Sequence, residues 1–309
     1  MHYRYYTADV FTDRIFNGNQ LAVFPDARGL EHEQMQRVAQ EFNIAETVFV
    51  FPPEDAKHTR RLRIFTPGTE LPFAGHPTIG TAYVLASIGE IVLDAEPTHI
   101  VFEEGVGPVS VSIEVIGATP RSVTLIAPRL PEFGPEPPHA TDIASVLSLD
   151  ESDLLVDDNA PQAVSCGVPF LFVPLRSRDA VTRARVKRDT WEQILSSFWA
   201  PSLYVFSYDP ELDGSDIHAR MFAPLLGIDE DPATGAAVTA LAGYLGVRDK
   251  SGSGRIRWVV EQGIEMGRPS ILEVVAVKQN SKITEIQLVG SAVLVSEGEM
   301  EIPALSDLK

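Results

Sequence analysis

The 309-residue sequence contains a single cysteine, Cys166. One thiol cannot form an internal disulfide, a thiolate metal cluster or a two-cysteine acid/base pair. Because this thiol lies in the apolar run of residues 166–173, we expect it to be buried by packing. No H-x-x-x-H or H-E-x-x-H spacing occurs, and no glycine-rich dinucleotide or phosphate motif occurs either. We therefore expect no zinc site and no dinucleotide cofactor.

Positive charge is also scarce. The 25 basic and 43 acidic residues give a formal net charge of −18, whereas nucleic-acid binding needs a basic stripe. The best basic cluster, residues 183–188, is short and typical of a solvated helix end. No window reaches the ~18 apolar residues of a membrane helix, and residues 1–6 lack a signal-peptide core. We expect a cytoplasmic protein with no nucleic-acid and no membrane partner.

What the sequence does contain is a motif that occurs twice. The first copy reads Arg63-Ile-Phe-Thr-Pro67 and then Pro77-Thr-Ile-Gly-Thr-Ala82. The second reads Arg220-Met-Phe-Ala-Pro224 and then Pro232-Ala-Thr-Gly-Ala-Ala237. The two copies lie in opposite halves of the chain, which predicts a duplicated half-domain and an active site at the seam between two lobes.

Each half combines many strand-like segments with one helix that is rich in Ala and Leu on nearly all sides, at residues 82–86 and 236–245. Because such a helix must be enclosed, we predict an α+β fold of two pseudo-symmetric lobes. In each lobe a curled, mostly antiparallel sheet would wrap around the central helix.

The linker candidate is residues 128–138, which hold five prolines in eleven residues. It divides the chain into an amino-terminal lobe, residues 1–127, and a carboxy-terminal lobe, residues 128–291. The last strand, residues 292–309, is a candidate addition to the first lobe.

Hydrophobic periodicity and turn signals place the individual elements. Helices are predicted at residues 31–42, from Pro77 to near Gly89, and at 142–148, 189–198 and 233–245. Strands are predicted at residues 5–10, 18–24, 46–51, 61–65, 90–93, 98–102, 109–115, 121–127, 169–174 and 203–207, and over most of 255–295.

In each motif copy one titratable residue directly precedes the second proline. It is His76 in the first copy and Asp231 in the second. If Pro77 and Pro232 occupy the first helical position, these residues are N-caps. The N–H groups of two facing helix ends would then grip an anionic group such as a carboxylate. Capping alone would also explain Asp231, whereas histidine is not a favoured cap, and Gly75 before it indicates a close backbone approach.

Glu46 is the third candidate for chemistry. It lies at the start of a predicted strand with Ile44, Ala45 and Val48 around it. Partial desolvation would raise its pKa and make it a plausible proton carrier. The alternative is a solvated glutamate at a strand end.

Several longer segments together resemble one protein family. They are Phe16-Asn-Gly-Asn-Gln-Leu-Ala-Val23, Asn43-Ile-Ala-Glu-Thr-Val-Phe49, Glu70-Leu-Pro-Phe-Ala-Gly-His-Pro77, Arg220-Met-Phe-Ala-Pro224, Glu230-Asp-Pro-Ala-Thr-Gly235 and Gln262-Gly-Ile-Glu-Met-Gly-Arg-Pro-Ser270. They look like the PhzF family of phenazine biosynthesis, and the resemblance covers almost the entire chain.

The resemblance implies the diaminopimelate epimerase fold, with the site between two lobes. It implies a cofactor-free isomerase of trans-2,3-dihydro-3-hydroxyanthranilate, and a homodimer. Glu46 matches the family's acid/base glutamate, while His76 and Asp231 match its other polar site residues. The expected substrate-binding residues are Asn19, Gly75, Thr78, Thr234, Gly235 and Ala236.

Two positions depart from the family pattern. Ala236 stands where the family commonly has serine, so a hydroxyl that could contact substrate is lost. Gln20 replaces a proline, which affects turn rigidity. The first departure leaves open whether the phenazine precursor is the substrate.

The sequence supports three functional hypotheses. The first is a metal-free proton shift on a small unsaturated cyclic carboxylate, with Glu46 as base and then acid. The second is a racemase or epimerase of a small amino or hydroxy acid, which needs a base on each face of the carbon. The third is a binding protein that kept the cleft and lost the chemistry.

Overall fold

The computed structural model describes residues 1–117 and 119–307. The helices in these ranges are α1 (His32–Phe42), α2 (Gly75–Ser87), α3 (Ala140–Leu147), α4 (Arg178–Arg183), α5 (Arg188–Ile194) and α6 (Gly235–Arg248). The strands are β1 (His2–Val10), β2 (Asn19–Phe24), β3 (Glu46–Phe51), β4 (Arg60–Phe65), β5 (Glu70–Leu71), β6 (Thr98–Glu104), β7 (Gly107–Ile116), β8 (Thr119–Ile126), β9 (Glu132–Phe133), β10 (Gln162–Ser165), β11 (Pro169–Pro174), β12 (Ser202–Ser207), β13 (Ile217–Ala223), β14 (Ile228–Asp231), β15 (Gly254–Gln262), β16 (Ser270–Gln279), β17 (Lys282–Gly290) and β18 (Ala292–Glu301).

The α+β prediction is confirmed. The chain folds as two compact units, of which the first contains Met1–Ile126 and the residues from Val289 onward. The second contains Ala127–Leu288. In the described ranges, no helix is long and apolar enough to cross a bilayer.

The sheet of the first unit begins with the pairing of β1 and β18, which is antiparallel from His2 opposite Glu301 to Val10 opposite Ala292. On its other side β1 pairs antiparallel with β2, and β2 pairs parallel with β3. The parallel pairing is possible because α1 supplies the crossover connection. β3 pairs antiparallel with β4, β4 pairs parallel with β6 after the α2 crossover, and β6, β7 and β8 form an antiparallel meander.

Helix α2 is the enclosed centre of the first unit. All of its residues except Tyr83 and Ser87 are buried, as expected for a helix that is apolar on nearly every side. It packs against β1, β2, β8 and β18. Gly80 permits this close packing, because a Cβ there would lie 2.5 Å from a side-chain carbon of Leu21 and 2.6 Å from one of Val10.

The second unit repeats this plan around α6. Strands β9, β10 and β11 are antiparallel, β11 and β12 are parallel, and β13 joins β12 antiparallel and β15 parallel. Helix α6 packs against β10, β11, β15 and β16, and only Ala236, Val247 and Arg248 of its residues are not buried. A second apolar core lies under α3, α4 and α5, with Trp191 and Leu195 at its helix face.

One predicted strand is wrong. Residues 90–93 are irregular, because the chain leaves α2 through Gly89 at φ +78°. The N–H groups of Glu90 and Ile91 then both donate to the Leu85 carbonyl, at 2.8 and 3.1 Å. These donors cap the end of the helix and are not available to a strand ladder.

The duplicated motif forms the same ion pair in both units. On β4, Arg63 donates two hydrogen bonds to Glu70 of β5, both 2.7 Å. On β13, Arg220 donates two hydrogen bonds to Glu230 of β14, both 2.8 Å. Such bidentate pairs fix the geometry of both partners. Since α2 and α6 begin five residues after the glutamates, each ion pair fixes the segment that leads into the central helix.

Each guanidinium of the motif also lies over the phenylalanine two positions further on. The Arg63 guanidinium carbon is 5.3 Å from the ring centre of Phe65, and that of Arg220 is 4.9 Å from the ring centre of Phe222. The motif residues are therefore explained by this stacking and by the ion pair.

Candidate active site

Glu46 is the first residue of β3, and only 16% of its side chain is exposed. The preceding helix, α1, ends in Asn43 at φ 48°, a left-handed residue that redirects the chain into the strand. Parallel pairing places Glu46 opposite Leu21 of β2. The carboxyl group thus lies at the mouth of a buried strand, in the partly desolvated position that the sequence predicted.

His76 does not cap its helix, which corrects the prediction. Helix α2 begins at Gly75 with Ala74 as its N-cap, so that His76 and Pro77 both lie within the first turn. The extended backbone of Ala74, at φ −153° and ψ 133°, brings its carbonyl to the N–H of Thr78. A proline is tolerated throughout a first turn, because N–H groups there have no partner within the helix.

Glu46 and His76 form a buried pair. The Nδ1 atom of His76 is 3.1 Å from Oε2 of Glu46, and the imidazole is 5% exposed. Its Nε2 atom lies 3.2 Å from the carbonyl oxygen of Gln20. Because a carbonyl oxygen only accepts hydrogen bonds, Nε2 carries a proton and donates it. At 3.1 Å, Nδ1 and Glu46 Oε2 are within ion-pair distance, and one proton held by either atom makes the contact favourable.

That shared proton has two places to reside. Either a Glu46 carboxylic acid donates to a neutral imidazole, or an imidazolium donates to the Glu46 carboxylate. Burial lowers the pKa of His76 to about 4, although the bond to Gln20 opposes the shift. Burial therefore favours the neutral imidazole. The pair can exchange its proton internally, which is what a residue that acts first as base and then as acid requires.

Three predicted substrate-binding residues lie near this pair in the same unit. Asn19 is the first residue of β2, is 2% exposed and precedes Gln20, the acceptor for His76. Gly75 and Thr78 are buried in the first turn of α2, on either side of His76. The structure thus brings Asn19, Gly75, His76, Thr78 and Glu46 to neighbouring positions on β2, β3 and α2.

In the second unit Asp231 is not an N-cap either. It is the last residue of β14, and α6 begins at Gly235 with Thr234 as its N-cap, so Pro232 lies outside the helix. Thr234 Oγ1 donates to Asp231 Oδ2 at 2.5 Å. The segment between strand and helix lies close to another loop, since a Cβ on Gly263 would be 2.6 Å from the Pro232 carbonyl oxygen. This tertiary contact, rather than the proline, determines where the helix starts.

Gln262 organises this end of α6. Its amide nitrogen donates to the Asp231 carbonyl at 2.7 Å and to Thr234 Oγ1 at 3.0 Å. Its amide oxygen accepts from the Thr234 N–H at 3.3 Å and from the Tyr204 hydroxyl at 3.1 Å. Burial, together with the Asp231 carboxylate, raises the pKa of Tyr204 well above its usual value, so the hydroxyl stays a donor. Sequence reasoning missed both residues, and the only signal for Gln262 is that it opens the family segment 262–270.

The remaining predicted substrate-binding residues of this unit come directly after Thr234 in the chain. Gly235 and Ala236 are the first two residues of α6, with Gly235 buried and Ala236 half-buried. Thr234 and Asp231 are held by Gln262, so the four residues form one fixed turn at the start of the helix.

His218 forms a buried ion-pair cluster. Its Nδ1 donates to Glu261 at 2.7 Å and its Nε2 donates to Glu265 at 2.9 Å. Burial alone would lower the pKa of His218, but the hydrogen bonds to the two carboxylates outweigh it and raise the pKa to about 9. The imidazolium thus links β13 to β15 and to the turn that follows it, which is a structural role. Cys166 is buried as predicted, and burial raises its pKa to about 12.

Comparison with known proteins identifies the family. A family model described as PhzC-PhzF, phenazine biosynthesis-like protein, matches residues 8–298. An uncharacterized isomerase of Mesorhizobium japonicum is 36% identical over 301 residues, which cover 96% of this chain and 98% of the relative. The trans-2,3-dihydro-3-hydroxyanthranilate isomerase of Pseudomonas chlororaphis is 30% identical over 305 residues, covering 96% and 99%.

A solved structure gives the same result. The phenazine biosynthesis protein of the PhzF family from Bacillus anthracis superposes with a TM-score of 0.88 at 27% sequence identity. The match covers 98% of this chain and 100% of that chain. The similarity therefore extends over the whole of both proteins.

Proposed function

The chain belongs to the PhzC-PhzF family of phenazine biosynthesis-like proteins and is an isomerase, and we propose that it shifts a proton on a small unsaturated cyclic carboxylate. The observation that carries this proposal is the buried contact between Glu46 and His76, 3.1 Å long. A carboxyl group and an imidazole that share one proton form a general acid/base unit which needs no further reactant to return to its starting state.

The reactive form of the pair has Glu46 as carboxylate and the shared proton on His76 Nδ1, and it is the less populated form because burial favours the neutral imidazole. Glu46 removes a proton from a carbon that is conjugated with the substrate carboxylate, and the electron pair of the broken C–H bond spreads into the π-system. The Glu46 carboxylic acid exchanges its proton through the pair with solvent and then donates a proton to a different carbon of the same system, which moves the double bond. Atoms and electrons balance within the substrate, the pair and the solvent.

Charge that develops on the substrate needs stabilisation during this step. The first turn of α2 presents the backbone N–H groups of Gly75 and His76 at the positive end of the helix dipole, since Pro77 has no N–H and that of Thr78 donates to the Ala74 carbonyl. Such groups bind carboxylates and stabilise negative charge that spreads into them. The participation of Asp231, Thr234, Gly235 and Ala236 in the same reaction stays a prediction from the sequence.

The proposed substrate class includes trans-2,3-dihydro-3-hydroxyanthranilate, the compound named for the Pseudomonas chlororaphis relative. Ala236 lacks the hydroxyl that the family motif commonly supplies, so a substrate without a group for that hydroxyl to bind suits this chain equally well. A homodimer, which the family resemblance implies, is part of the proposal and is tested by light scattering of the purified protein.

The experiment that tests the proposed base is Glu46→Gln. We expect turnover to fall by at least the ~10²–10⁴-fold that general acid/base groups contribute. Substrate affinity, measured by calorimetry, should change little because glutamine has almost the same shape. Glu41→Gln makes the same chemical change at an exposed position of α1 and serves as the matched control. A Glu46→Gln protein with near-normal turnover would refute the assignment.

A further inference from the structure

Glu104, the last residue of β6, is a buried acid that the proposed reaction does not use. It is 8% exposed, and its Oε1 lies 2.7 Å from Thr78 Oγ1 in the first turn of α2. Its second oxygen, Oε2, is buried and has no hydrogen-bond partner among the described residues. Thr78 Oγ1 is also 2.8 Å from the Ala74 carbonyl oxygen, the N-cap position of the helix.

The hydrogen-bond contacts of the Thr78 hydroxyl require Glu104 to carry a proton. The Thr78 hydroxyl has one hydrogen, yet two oxygens lie within hydrogen-bond distance of its Oγ1 atom. The Ala74 carbonyl can only accept, so the hydroxyl donates to it. The 2.7 Å contact with Glu104 is then a hydrogen bond only if Glu104 Oε1 donates. A buried Oε2 without a partner also suits a neutral acid, since half of a carboxylate charge there would be unsolvated.

We propose that Glu104 is a positioning residue, which as a neutral carboxylic acid fixes the first turn of α2 and thereby holds the His76 imidazole against Glu46. Thr78 lies two residues after His76, and its hydroxyl connects Glu104 to the Ala74 carbonyl at the very start of the helix. The catalytic consequence rests on the proposed function, whereas the protonation state of Glu104 does not.

The charged groups around Glu104 do not provide it with a counter-ion. It lines a cavity of about 760 Å³ with charged side chains from the neighbouring elements. These groups are paired in other ways: His58 with Glu103, Arg61 with Glu54, and Arg63 with Glu70. In the described part of the chain Thr78 is the one side chain that hydrogen-bonds Glu104. Burial raises the pKa of Glu104 to about 8.

The sign of the pH dependence follows from this. The ordinary pKa is 4.5, and that of the folded protein is about 8, so between these values the unfolded chain releases a proton that the folded chain keeps. Stability therefore falls as pH rises from 4.5 to about 8 and levels off above it. Above pH 8 Glu104 is ionised and no longer donates a hydrogen bond to the Thr78 hydroxyl. The first turn of α2 then loosens around His76.

The test uses nuclear magnetic resonance of the free protein, so that no substrate is needed. With ¹³C-labelled glutamate carboxyl groups, we expect one resonance to titrate near pH 8 in the unmodified protein and to be missing in Glu104→Gln. With ¹⁵N-labelled histidine, the His76 ring resonances, assigned with His76→Asn, should shift over the same pH range. This shift should be absent in Glu104→Gln, whose amide N–H still donates to Thr78, and retained in Glu114→Gln, an exposed control on β7.

Kinetics then distinguish the two proposals. If turnover is observed, its alkaline decline near pH 8 should disappear in Glu104→Gln and persist in Glu114→Gln. The positioning role would be overturned if no glutamate carboxyl resonance titrated near pH 8. It would also be overturned if the His76 ring resonances did not shift over the same pH range. Both resonances behaving as expected in a protein that turns over no unsaturated cyclic carboxylate would instead overturn the proposed function and leave the positioning of His76 established.

Discussion

His76 has a fixed orientation because one ring nitrogen is committed to the backbone. The Nε2 atom donates to the Gln20 carbonyl, which leaves Nδ1 for Glu46. The same commitment keeps the ring from turning away when the proton moves. Geometry of this kind holds a reacting group in place before the reaction starts, so that no reorganisation is needed during it.

Replacing His76 by asparagine should therefore remove the proton exchange while keeping a group of similar size. We expect the turnover number to fall ~10²-fold with little change in KM, because the lost interaction is made in the proton-transfer step. His99→Asn, an exposed change on β6, is the control. The kinetic constants of both variants check the prediction, and circular dichroism checks their folding. A His76→Asn enzyme within a few-fold of normal would mean that Glu46 works alone.

The sequence allowed Glu46 and His76 to be named as candidates, since a carboxylate among apolar neighbours and a histidine after glycine are visible locally. It did not allow Glu104, Tyr204 or Gln262 to be found. Their roles depend on partners that are far away in sequence: 26 residues separate Glu104 from Thr78, and 58 separate Gln262 from Tyr204. Without the tertiary contact these residues look like ordinary strand residues.

At the scale of elements, the repeated arginine–glutamate pair differs in burial between the two units. Arg220 is 4% exposed in its side chain and also donates to the carbonyls of Val181, Thr182 and Ala184. Arg63 is 25% exposed. Removing a buried partner leaves an uncompensated charge, whereas water can solvate the residues left behind at a more exposed site.

The two arginines are therefore each other's control. Arg220→Met should lower the free energy of unfolding by about 3–5 kcal/mol, as for a broken buried ion pair. Arg63→Met should cost clearly less, about 1 kcal/mol, because its pair is partly solvated. Urea denaturation of both variants measures the difference. Equal losses, or a larger loss for Arg63→Met, would contradict the role of burial.

Helix starts were the least predictable feature of the elements. A proline at the first helical position is a sound expectation, yet Pro77 is the third residue of α2 and Pro232 lies outside α6. The start of α2 is fixed by a hydrogen bond within its own first turn, and that of α6 by a hydrogen bond from another segment. The Ala74 carbonyl accepts a hydrogen bond from the Thr78 hydroxyl. The side-chain amide of Gln262 on β15 donates one to the Thr234 hydroxyl. The central helices themselves were predictable, because a helix that is apolar all round has to be enclosed.

For the molecule as a whole, the duplicated sequence corresponds to two units that share an order of elements. Each has a parallel strand pair joined by a helical crossover, a hairpin with an arginine–glutamate pair, and a buried central helix. The contact between Glu46 and His76 lies in the first unit, whereas the second unit holds Asp231 and its hydrogen bonds to Thr234 and Gln262. The repeat thus supplies the same framework with different chemistry.

The most direct test of the central claim is the reaction of trans-2,3-dihydro-3-hydroxyanthranilate in heavy water. With the unmodified enzyme we predict a product with a moved double bond and deuterium at the carbon that receives the proton, because Glu46 delivers it. Glu46→Gln should give neither. Deuterium in the Glu46→Gln product at an unchanged rate would contradict the account, as would inversion at one carbon without movement of the double bond, which is the outcome expected of an epimerase.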